Sequence, residues 1–431
     1  MANPLQSFVT FFRFPDLRRK FFVVLALVLC ARLLAIIPIP GVDRTQLATF
    51  FQGNSAFDLL SVFTGGGLAN FSVAMMGVGP YITASIIFQL LTQVIPALET
   101  LSKDGEMGRR KIAQYTRLAT IPLALIQGFS TLLFLRSSQL IAEWTPLNLT
   151  FMLLIATAGT LLLMWIGELI SEQGLGNGLS LIITTGIVAS FPKSLQNAWD
   201  LYANGATAQE YLQLIGFVVL AFGALMAIVF MNEAQRNIPV SYARRSRTGV
   251  QALGTVESSL PIKVNASGVV PIIFAVSVVY FPIIIARFLK EASSESVKAA
   301  AIKVESFFNN QTYYAIIYFV LVIAFTYFYA FIIFQPTQMA ENLQKQGGFI
   351  PGIRPGEETA QYLTTVINRL TLAGALFIAV IAVLPNIVQQ ITKVGTLTLG
   401  GTSLLIAVAV VLEIMRQVRS QLITRTYDTY S

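Results

Sequence analysis

The chain has 431 residues, of which 55% are hydrophobic and only 12% are charged, and its formal net charge is +8. This is more apolar surface than a soluble core of that size can bury, so the composition excludes an ordinary soluble protein and predicts that lipid surrounds most of the chain. A single cysteine, Cys30, and the absence of histidine exclude an internal disulfide and argue against a zinc or haem site. We therefore expect neither a metal nor a cofactor.

Ten apolar segments with few or no charges are long enough to cross a hydrocarbon layer of roughly 30 Å as helices. They lie at about 21–38, 73–95, 118–135, 149–167, 178–191, 212–231, 267–286, 313–334, 363–384 and 396–414. The first follows charged residues and lacks a small-residue cleavage site, which indicates a retained helix rather than a signal peptide. The sequence therefore predicts an all-α polytopic membrane protein with ten transmembrane helices.

Two arginines fall inside these spans, Arg32 in the first and Arg369 in the ninth. Long basic side chains near helix ends extend toward the nearest membrane interface, which is the simplest interpretation of both. For Arg32 a hydrogen bond to backbone near the following broken segment is the functional alternative.

The stretch AFDLLSVFTGGGLANFS precedes the second span and is too short to cross a bilayer. It predicts a half-length helix that folds back into the protein, followed by a glycine hinge. Asn70 or Ser72 is then expected to cap the second span. A re-entrant loop that only fills space is an equal alternative on these residues. The apolar residues of the stretch are Phe57, Leu59, Leu60, Val62 and Phe63, and the hinge residues are Gly65, Gly66 and Gly67.

The turn GELISEQGLGNGLS leads into the fifth span. Glu168, Glu172 and Asn177 resemble a polar cluster, but a tight turn with positive-φ glycines explains them better, with Asn177 or Ser180 capping the next helix. The fifth span is short and bounded by Asn177 and Pro192, so it is either extended at its ends or shielded by neighbouring helices.

Two long polar loops follow, at 232–266 and 335–362. In the first, basic residues alternate with the β-formers Ile238, Val240, Tyr242 and Val250, which predicts a projecting hairpin. In the second, two prolines stiffen a loop that holds Arg354. A structured basic loop suits an acidic partner or the phosphates of RNA, although attraction to anionic lipid also favours such residues.

The distribution of basic residues predicts the membrane topology, and the positions of the acidic residues restrict the class of function. Nineteen lysines and arginines fall on one side of the predicted membrane and eight on the other, which predicts that both termini are cytoplasmic. Every acidic residue lies in a loop or at a span end, with Glu168 and Glu413 coming closest to the interior. A transporter coupled to ions or protons needs an ionisable group near the midplane, so the pattern argues against that class. No nucleotide-binding or other enzyme motif is present, and we expect no catalytic activity.

Five motifs together resemble the SecY family of protein-conducting channels. They are MGVGPYITASIIFQLL, LSKDGEMGRRKIAQYTR, GLGNGLSLIITTGIVA, LPIKVNASGVVPIIFA and GGFIPGIRPGEETAQYL, in family order from the first span to the last. The resemblance implies two pseudo-symmetric inverted five-helix halves, residues 1–210 and 211–431, around an hourglass pore. The half-length helix at about 56–70 is then the plug of that pore.

The resemblance also implies a ring of aliphatic side chains at the waist of the pore. The i, i+4 spacing of Ile82 with Ile86, and of Leu179 with Ile183, places each pair on one helix face. Without the family, packed or lipid-facing isoleucine is the default interpretation of these residues. The ring residues are Ile82, Ile86, Leu179, Ile183, Ile273 and Ile406.

A lateral gate is implied between spans two and three on one side and seven and eight on the other. Its candidate polar residues are Gln89, Thr92, Thr120 and Ser277. Candidate docking residues for a partner are Arg354, Arg244, Arg245, Arg247 and Arg236.

The implied function is passage of unfolded secretory polypeptides across the plasma (inner) membrane, with release of hydrophobic segments into membrane lipid. The chain has no nucleotide site, so a docked motor or ribosome would supply the energy. The implied partners are the small membrane subunits SecE and SecG, the motor ATPase SecA, the ribosome, and preproteins with signal sequences. A secondary transporter of a small solute, built from inverted repeats, is the alternative class.

Overall fold

The computed structural model describes residues 14–40, 64, 66–68, 70–137, 140–141, 145–203, 208–242, 256–290, 294–392 and 401–430. Within these ranges it contains thirteen helices and three short strands. In chain order they are α1 (Pro15–Leu34), α2 (Gly79–Val94), α3 (Pro96–Lys103), α4 (Gly105–Ser137), α5 (Pro146–Glu172), α6 (Gly178–Ala203), α7 (Ala208–Glu233), β1 (Gln235–Tyr242), β2 (Val256–Lys263), α8 (Val270–Leu289), α9 (Glu295–Asn309), α10 (Gln311–Phe334), α11 (Pro336–Lys345), β3 (Gly348–Phe349), α12 (Glu357–Thr392) and α13 (Gly401–Tyr430).

Each of the ten predicted spans falls on one of these helices, namely α1, α2, α4 to α8, α10, α12 and α13. In the part of the chain that the structure describes, four stretches are long and apolar enough by themselves to cross a membrane: Gly105–Arg136, Pro146–Glu172, Thr312–Lys345 and Glu357–Pro385. The pair α2 and α3, bent by 102° at their junction, is a fifth candidate. The predicted helical architecture is confirmed, and the count of ten spans stays a prediction.

Local sequence explains where several helices begin and end. Ile95 is extended because Pro96 follows it, so α2 stops at Val94. Asn177 Oδ1 accepts hydrogen bonds from the backbone N–H groups of Leu179 and Ser180 at 3.1 and 3.2 Å. Asn177 is therefore the predicted cap of the fifth span. That span is extended, because α6 continues past Pro192 to Ala203.

The backbone between residue 70 and α2 is irregular and buried. Ile39 N–H donates to the Phe71 carbonyl at 2.8 Å, and Val73 N–H donates to the Ile37 carbonyl at 2.9 Å. Phe71 itself adopts a left-handed φ of 44° and is 1% exposed. Protein therefore satisfies the peptide groups that lipid cannot, which is the condition for non-helical backbone inside a membrane.

The predicted caps of the second span, Asn70 and Ser72, are wrong. Asn70 Nδ2 donates to the Ala35 carbonyl at 3.4 Å, and Ser72 Oγ donates to the Gly67 carbonyl at 3.1 Å. The helix begins only at Gly79, too far along the chain for either side chain to reach its first turn. Both side chains instead stabilise the irregular segment, which also displaces the predicted start of the span from residue 73.

Helix packing separates the chain into two contacting sets. In the first, α1 packs on α5 and α6, α4 packs on α2 and α5, and α5 packs on α6. In the second, α10 packs between α8 and α12, and α13 packs on α7 and α12. The sets meet where α6 contacts α13 and where α2 and α4 contact α8.

The loop predicted as a hairpin is a twisted antiparallel pair. β1 pairs with β2 from Gln235↔Lys263 to Tyr242↔Val256. The strand order is β2-β1-β3, because β3 adds to the other edge of β1. Ile238, Val240 and Ile262 turn inward onto α11 and α12.

Gly159 offers a test of this packing. A Cβ on Gly159 of α5 would collide with the carbonyl oxygen of Val73 in the irregular segment. Gly159→Ala is therefore expected to destabilise the protein by roughly 1–3 kcal/mol, because the buried backbone must shift. Thermal unfolding in detergent measures this change.

Gly223→Ala on α7 is the matched control, because nothing lies within 4 Å of the added Cβ. That variant should be neutral or slightly more stable, since alanine favours helix more than glycine does. Equal midpoints for the two variants would contradict the tight approach of Val73 to α5.

Candidate functional site

Five of the six predicted ring residues lie in one apolar cluster. Ile183 and Ile406 are 2% and 1% exposed, and three partly buried side chains pack against the same cluster. Those three are Ile82, Leu179 and Ile273. The five residues come from α2, α6, α8 and α13, so four helices from both sets converge at this point. Ile86 lies one turn further along α2 and is also buried.

The α5–α6 turn positions Leu179 and Ile183. The Asn177 cap holds the first turn of α6, and Gly178 sits against the carbonyl of Gly167 so closely that a Cβ would collide with it. Ser171 Oγ accepts from Gly178 N–H at 2.9 Å. The polar turn between α5 and α6, which the sequence offers as a possible site, is thus structural. It fixes the start of α6 and so the position of Leu179 and Ile183.

Glu168, the acid closest to the interior, is paired rather than clustered. Arg117 Nε donates to Glu168 Oε1 at 2.7 Å, which links α4 to α5. The Glu168 side chain is 19% exposed and that of Arg117 is 47% exposed. The pair neutralises the acid at the end of the span.

The predicted plug residues 57, 59, 60, 62 and 63, and the hinge residue 65, lie outside the described residues. Gly66 has a positive φ of 82°, and a Cβ on Gly67 would collide with the Ala74 carbonyl. Ala74 and Val78, further along the same segment, belong to the cluster that contains the ring residues. The backbone that follows the glycines therefore packs directly on the ring helices.

Arg32 is partly buried and borders a cavity inside the protein. It lines this small cavity together with Thr64 and Thr185, closed by apolar side chains of α1 and α5. A hydrogen bond from Arg32 to the backbone of the neighbouring segment stays a prediction. Arg369, near the other end of the protein, is exposed on α12.

The predicted gate hydroxyls bond within their own helices. Thr92 Oγ1 donates to the Gln89 carbonyl, Thr120 Oγ1 to the Thr116 carbonyl and Ser277 Oγ to the Ile273 carbonyl, at 2.8, 2.8 and 2.9 Å. None of these three donations crosses the seam where α2 and α4 contact α8. Thr92 and Thr120 are buried.

Gln89 reaches across the seam to a residue that sequence reasoning missed. Its side chain lies close enough to the hydroxyl of Tyr329 on α10 to interact with it. The Tyr329 ring packs edge-on against Phe274 of α8, and Phe274 packs edge-on against Phe325. In the described part of the chain, Gln89 Oε1 is buried without a hydrogen-bond partner. Several polar-tipped tyrosines occur in this apolar span, so the sequence alone did not single out Tyr329.

The two polar loops form one platform instead of two. β3 pairs with β1 through Ser241↔Phe349 and Tyr242↔Gly348, and Ile350 is buried against α12. Sequence reasoning missed this join because a two-residue strand carries no periodic signal. We call the sheet with residues 350–356 the docking platform.

Arg354 lies exposed at the edge of the docking platform. Its carbonyl accepts from Thr359 Oγ1 at 2.8 Å, and Gly352 and Gly356, with φ of 83° and 105°, turn the chain on either side. Arg236 is exposed on β1, whereas Arg244, Arg245 and Arg247 lie outside the described residues. The platform thus holds the Arg354 backbone in place and leaves its guanidinium free to bind.

Solved structures define the class of protein. A structure described as a protein-conducting channel superposes with a TM-score of 0.65 at 18% identity, covering 93% of this chain and 91% of that one. Sec61 in the canine ribosome–channel complex from the endoplasmic reticulum superposes with a TM-score of 0.62 at 17% identity, again covering 93% of this chain and 91% of that one. The chain is a polytopic helical membrane protein with the fold of these channels.

Sequence relatives then define the family. The SecY family profile matches residues 72–415. The protein translocase subunit SecY of Halalkalibacterium halodurans is 42% identical over an alignment of 429 positions, which covers 96% of this chain and 97% of that protein. The SecY subunit of Thermus thermophilus is 39% identical over an alignment of 440 positions including gaps, which covers 99% of this chain and 97% of that protein. The chain belongs to the SecY family.

The Gln89–Tyr329 contact can be tested by a double-mutant cycle. Gln89→Leu leaves the Tyr329 hydroxyl without its partner, so we expect a loss of roughly 0.6–2 kcal/mol in stability. The double variant Gln89→Leu/Tyr329→Phe removes both polar groups and should recover most of that loss. Thermal unfolding in detergent provides the measurement.

Ser277→Ala serves as the control because its hydroxyl bonds only within α8, and its effect should stay within about 0.5 kcal/mol. If the effects of Gln89→Leu and Tyr329→Phe on stability are strictly additive, Gln89 and Tyr329 do not interact across the seam.

Proposed function

We propose that the chain is the central subunit of a protein-conducting channel, which passes unfolded secretory polypeptides across the membrane and releases hydrophobic segments into lipid. The observation that carries this proposal is the convergence of Ile82, Leu179, Ile183, Ile273 and Ile406, from four helices, in one cluster. Membership of a family whose relatives are named protein translocase subunits supports the same conclusion.

An aliphatic constriction suits this task physically. A pore wide enough for an extended polypeptide must still hold back ions, and a narrow apolar constriction resists hydration when empty. Aliphatic side chains also make no hydrogen bonds with a passing peptide, so they close around it without retaining it. Ile86, one turn along α2, extends the same apolar surface.

The plug and the gate complete the proposed channel. Residues 56–70 would close the pore beside the ring, since the segment that follows them already packs against the ring cluster. Lateral release would occur between α2 with α4 and α8 with α10. A hydrogen bond between the neighbouring Gln89 and Tyr329 side chains would hold this seam, and bonds of this kind in lipid contribute only about 0.6–2 kcal/mol. A signal sequence could therefore open the seam at low cost.

The docking platform would receive the partner that drives transport. Its exposed Arg354 and Arg236 suit acidic side chains or RNA phosphates, to which arginine donates two parallel hydrogen bonds. A motor ATPase such as SecA, or a ribosome, would bind there, and the channel itself would act without catalysis. One neighbouring fold, Sec61, is seen in a ribosome–channel complex, which supports the ribosome as a partner. The small subunits SecE and SecG would bind the outer surfaces of the spans.

The proposed orientation places the docking platform and both termini in the cytoplasm. The excess of lysine and arginine on that side supports this arrangement in the plasma (inner) membrane. The residue ranges 1–210 and 211–431 would form the two halves that move apart when the gate opens. The two sets of helices that meet at α6 with α13 and at α2 and α4 with α8 support this division, with the boundary in the first turn of α7.

The ring predicts a defined electrical phenotype. Replacing Ile82, Ile86, Leu179 and Ile183 by serine should raise the resting ion conductance of reconstituted vesicles by roughly an order of magnitude, because a polar constriction stays hydrated. Planar-bilayer recording measures this conductance.

The matched control replaces four exposed apolar residues of α7 by serine, at Val218, Val219, Phe222 and Met226. Their side chains lie on the outer surface, so the resting conductance should not change. An unchanged conductance in the ring variant would reject the ring assignment.

Arg354→Glu should reduce motor-driven export of a secretory preprotein into inverted vesicles. Loss of a charge-assisted hydrogen bond of roughly 1.5–3 kcal/mol corresponds to about a tenfold or larger reduction in partner affinity. Binding of SecA to the same vesicles gives the affinity directly.

Lys298→Glu on α9 is the control, because it reverses one exposed charge on the side predicted to face away from the cytoplasm. Export at the wild-type rate by the Arg354→Glu variant would exclude Arg354 as a docking residue.

A further inference from the structure

A polar junction at the base of the sheet joins separate parts of the chain. Asn265 Nδ2 donates to Asn232 Oδ1 at 2.8 Å, and both residues are 7% exposed. Asn232 belongs to the last turn of α7, and Asn265 follows β2. A buried amide pair is costly to break, because each group would lose its partner away from water, so this pair fixes the base of the hairpin.

The same Asn265 side chain also holds the entry to α8. Its Oδ1 accepts from Gly268 N–H at 3.0 Å and lies 3.5 Å from Ser267 Oγ. Gly268 has a positive φ of 63°, which turns the chain just before α8 begins at Val270. One amide therefore bonds to the hairpin base with its nitrogen and to the start of α8 with its oxygen.

Arg416 of α13 closes the junction from the side. Its Nη2 donates to the Asn232 carbonyl at 2.9 Å and to Glu233 Oε1 at 3.1 Å, and its Nε lies 3.3 Å from the same Glu233 oxygen. The ion pair is partly exposed, so its charge contributes little to overall stability. Its geometry is nevertheless specific, because the planar guanidinium donates both to the Asn232 carbonyl and to the Glu233 carboxylate at the end of α7. Asn232, Glu233, Asn265 and Arg416 are called the basal junction below.

The docking platform on one side of the basal junction is a single packed body. Val264 N–H donates to the Ala234 carbonyl at 3.0 Å, which continues the strand ladder down to the junction. Gly374 of α12 allows the Val264 carbonyl to approach closely, since a Cβ there would lie only 2.6 Å from that oxygen. A displacement of the sheet cannot be absorbed by a flexible linker at its base.

On the other side lies the first half of α8, which carries the residues of the proposed pore. Ile273 packs in the ring cluster, Phe274 packs against Tyr329, and Ser277 lies one turn further on. About two and a half turns of helix at most separate Gly268 from these side chains. The platform and the pore thus share one short, rigid connection.

We propose that the basal junction couples the docking platform to α8, so that a partner bound on the sheet moves the ring and gate residues of that helix. Asn265 and Arg416 act as positioning residues in this step. The inference rests on the proposed function, because it requires a partner on the platform and a pore beside α8.

The charges around the junction are consistent with a tightly held contact. Burial and the nearby Arg416 lower the pKa of Lys263, whereas Glu233 and Glu413 act in the opposite direction. Two cations and two acids thus lie near enough to influence one another where β2 ends. Substitution of one member is expected to disturb the others, and a compensating substitution is expected to restore them.

A charge swap tests the coupling. Glu233→Arg and Arg416→Glu each place like charges in contact, and the double variant restores an opposite pair. Each single variant should lower motor-driven export by about threefold to tenfold while equilibrium binding of the motor to vesicles stays unchanged. The double variant should recover most of the export rate.

Arg419→Glu provides the matched control, since it makes the same charge change on an exposed residue one turn along α13. Wild-type protein is measured in parallel: if it fails to export with a bound motor, the proposed function fails, not the coupling alone. Wild-type export by both single variants overturns the coupling. Equal losses of binding and export also overturn it, because the residues would then belong to the docking surface.

Arg416→Lys keeps the positive charge. It therefore tests the coupling even if the charge-reversed variants misfold. Lysine cannot grip Asn232 and Glu233 together, so export should fall although thermal unfolding and motor binding match the wild type. Wild-type export by this variant would show that the hydrogen bonds of Arg416 to both Asn232 and Glu233 do not transmit movement from the docking platform to α8.

Discussion

Every peptide group inside a hydrocarbon layer must find its hydrogen-bond partner within the protein, and the rest of this structure depends on that constraint. It is the reason that apolar sequence becomes helix along most of the chain. It also restricts where the chain can depart from helix. The irregular segment ending at Val78 is possible only because Ile37, Ile39 and the glycines pair with it inside the protein. That departure is what lets α2 begin beside the ring.

Apolar and polar contacts have different tasks in this fold. The cluster that contains the predicted ring residues is apolar, so its packing does not depend on specific hydrogen bonds. Polar contacts occur where position matters: at the Asn177 cap, at Gln89 with Tyr329, and at the basal junction. Because each polar contact joins two particular atoms, it fixes the relative position of the two segments that carry them, which apolar packing alone does not fix.

Much of the fold follows from local sequence. Hydropathy located ten helices, Asn177 marked a helix start, and alternating β-formers marked the hairpin. The ring residues could be named because family motifs accompany them. The caps assigned to Asn70 and Ser72 failed because a side chain with several possible acceptors cannot be assigned before its neighbours are known. Tyr329 and the two-residue strand β3 were missed because nothing in their immediate sequence distinguishes them.

The sequence by itself determined the class of protein and the lengths of its elements, because hydropathy, capping and turn preferences act over a few residues. Only the tertiary structure decided which side chains meet. Asn232 and Asn265 are separated by 33 residues, and Arg416 and Glu233 by 183. Such pairs depend on the rotation and depth of each helix against its neighbours, which are set by packing across the whole molecule. The ring, the seam and the basal junction are therefore properties of the assembled helices and of no single segment.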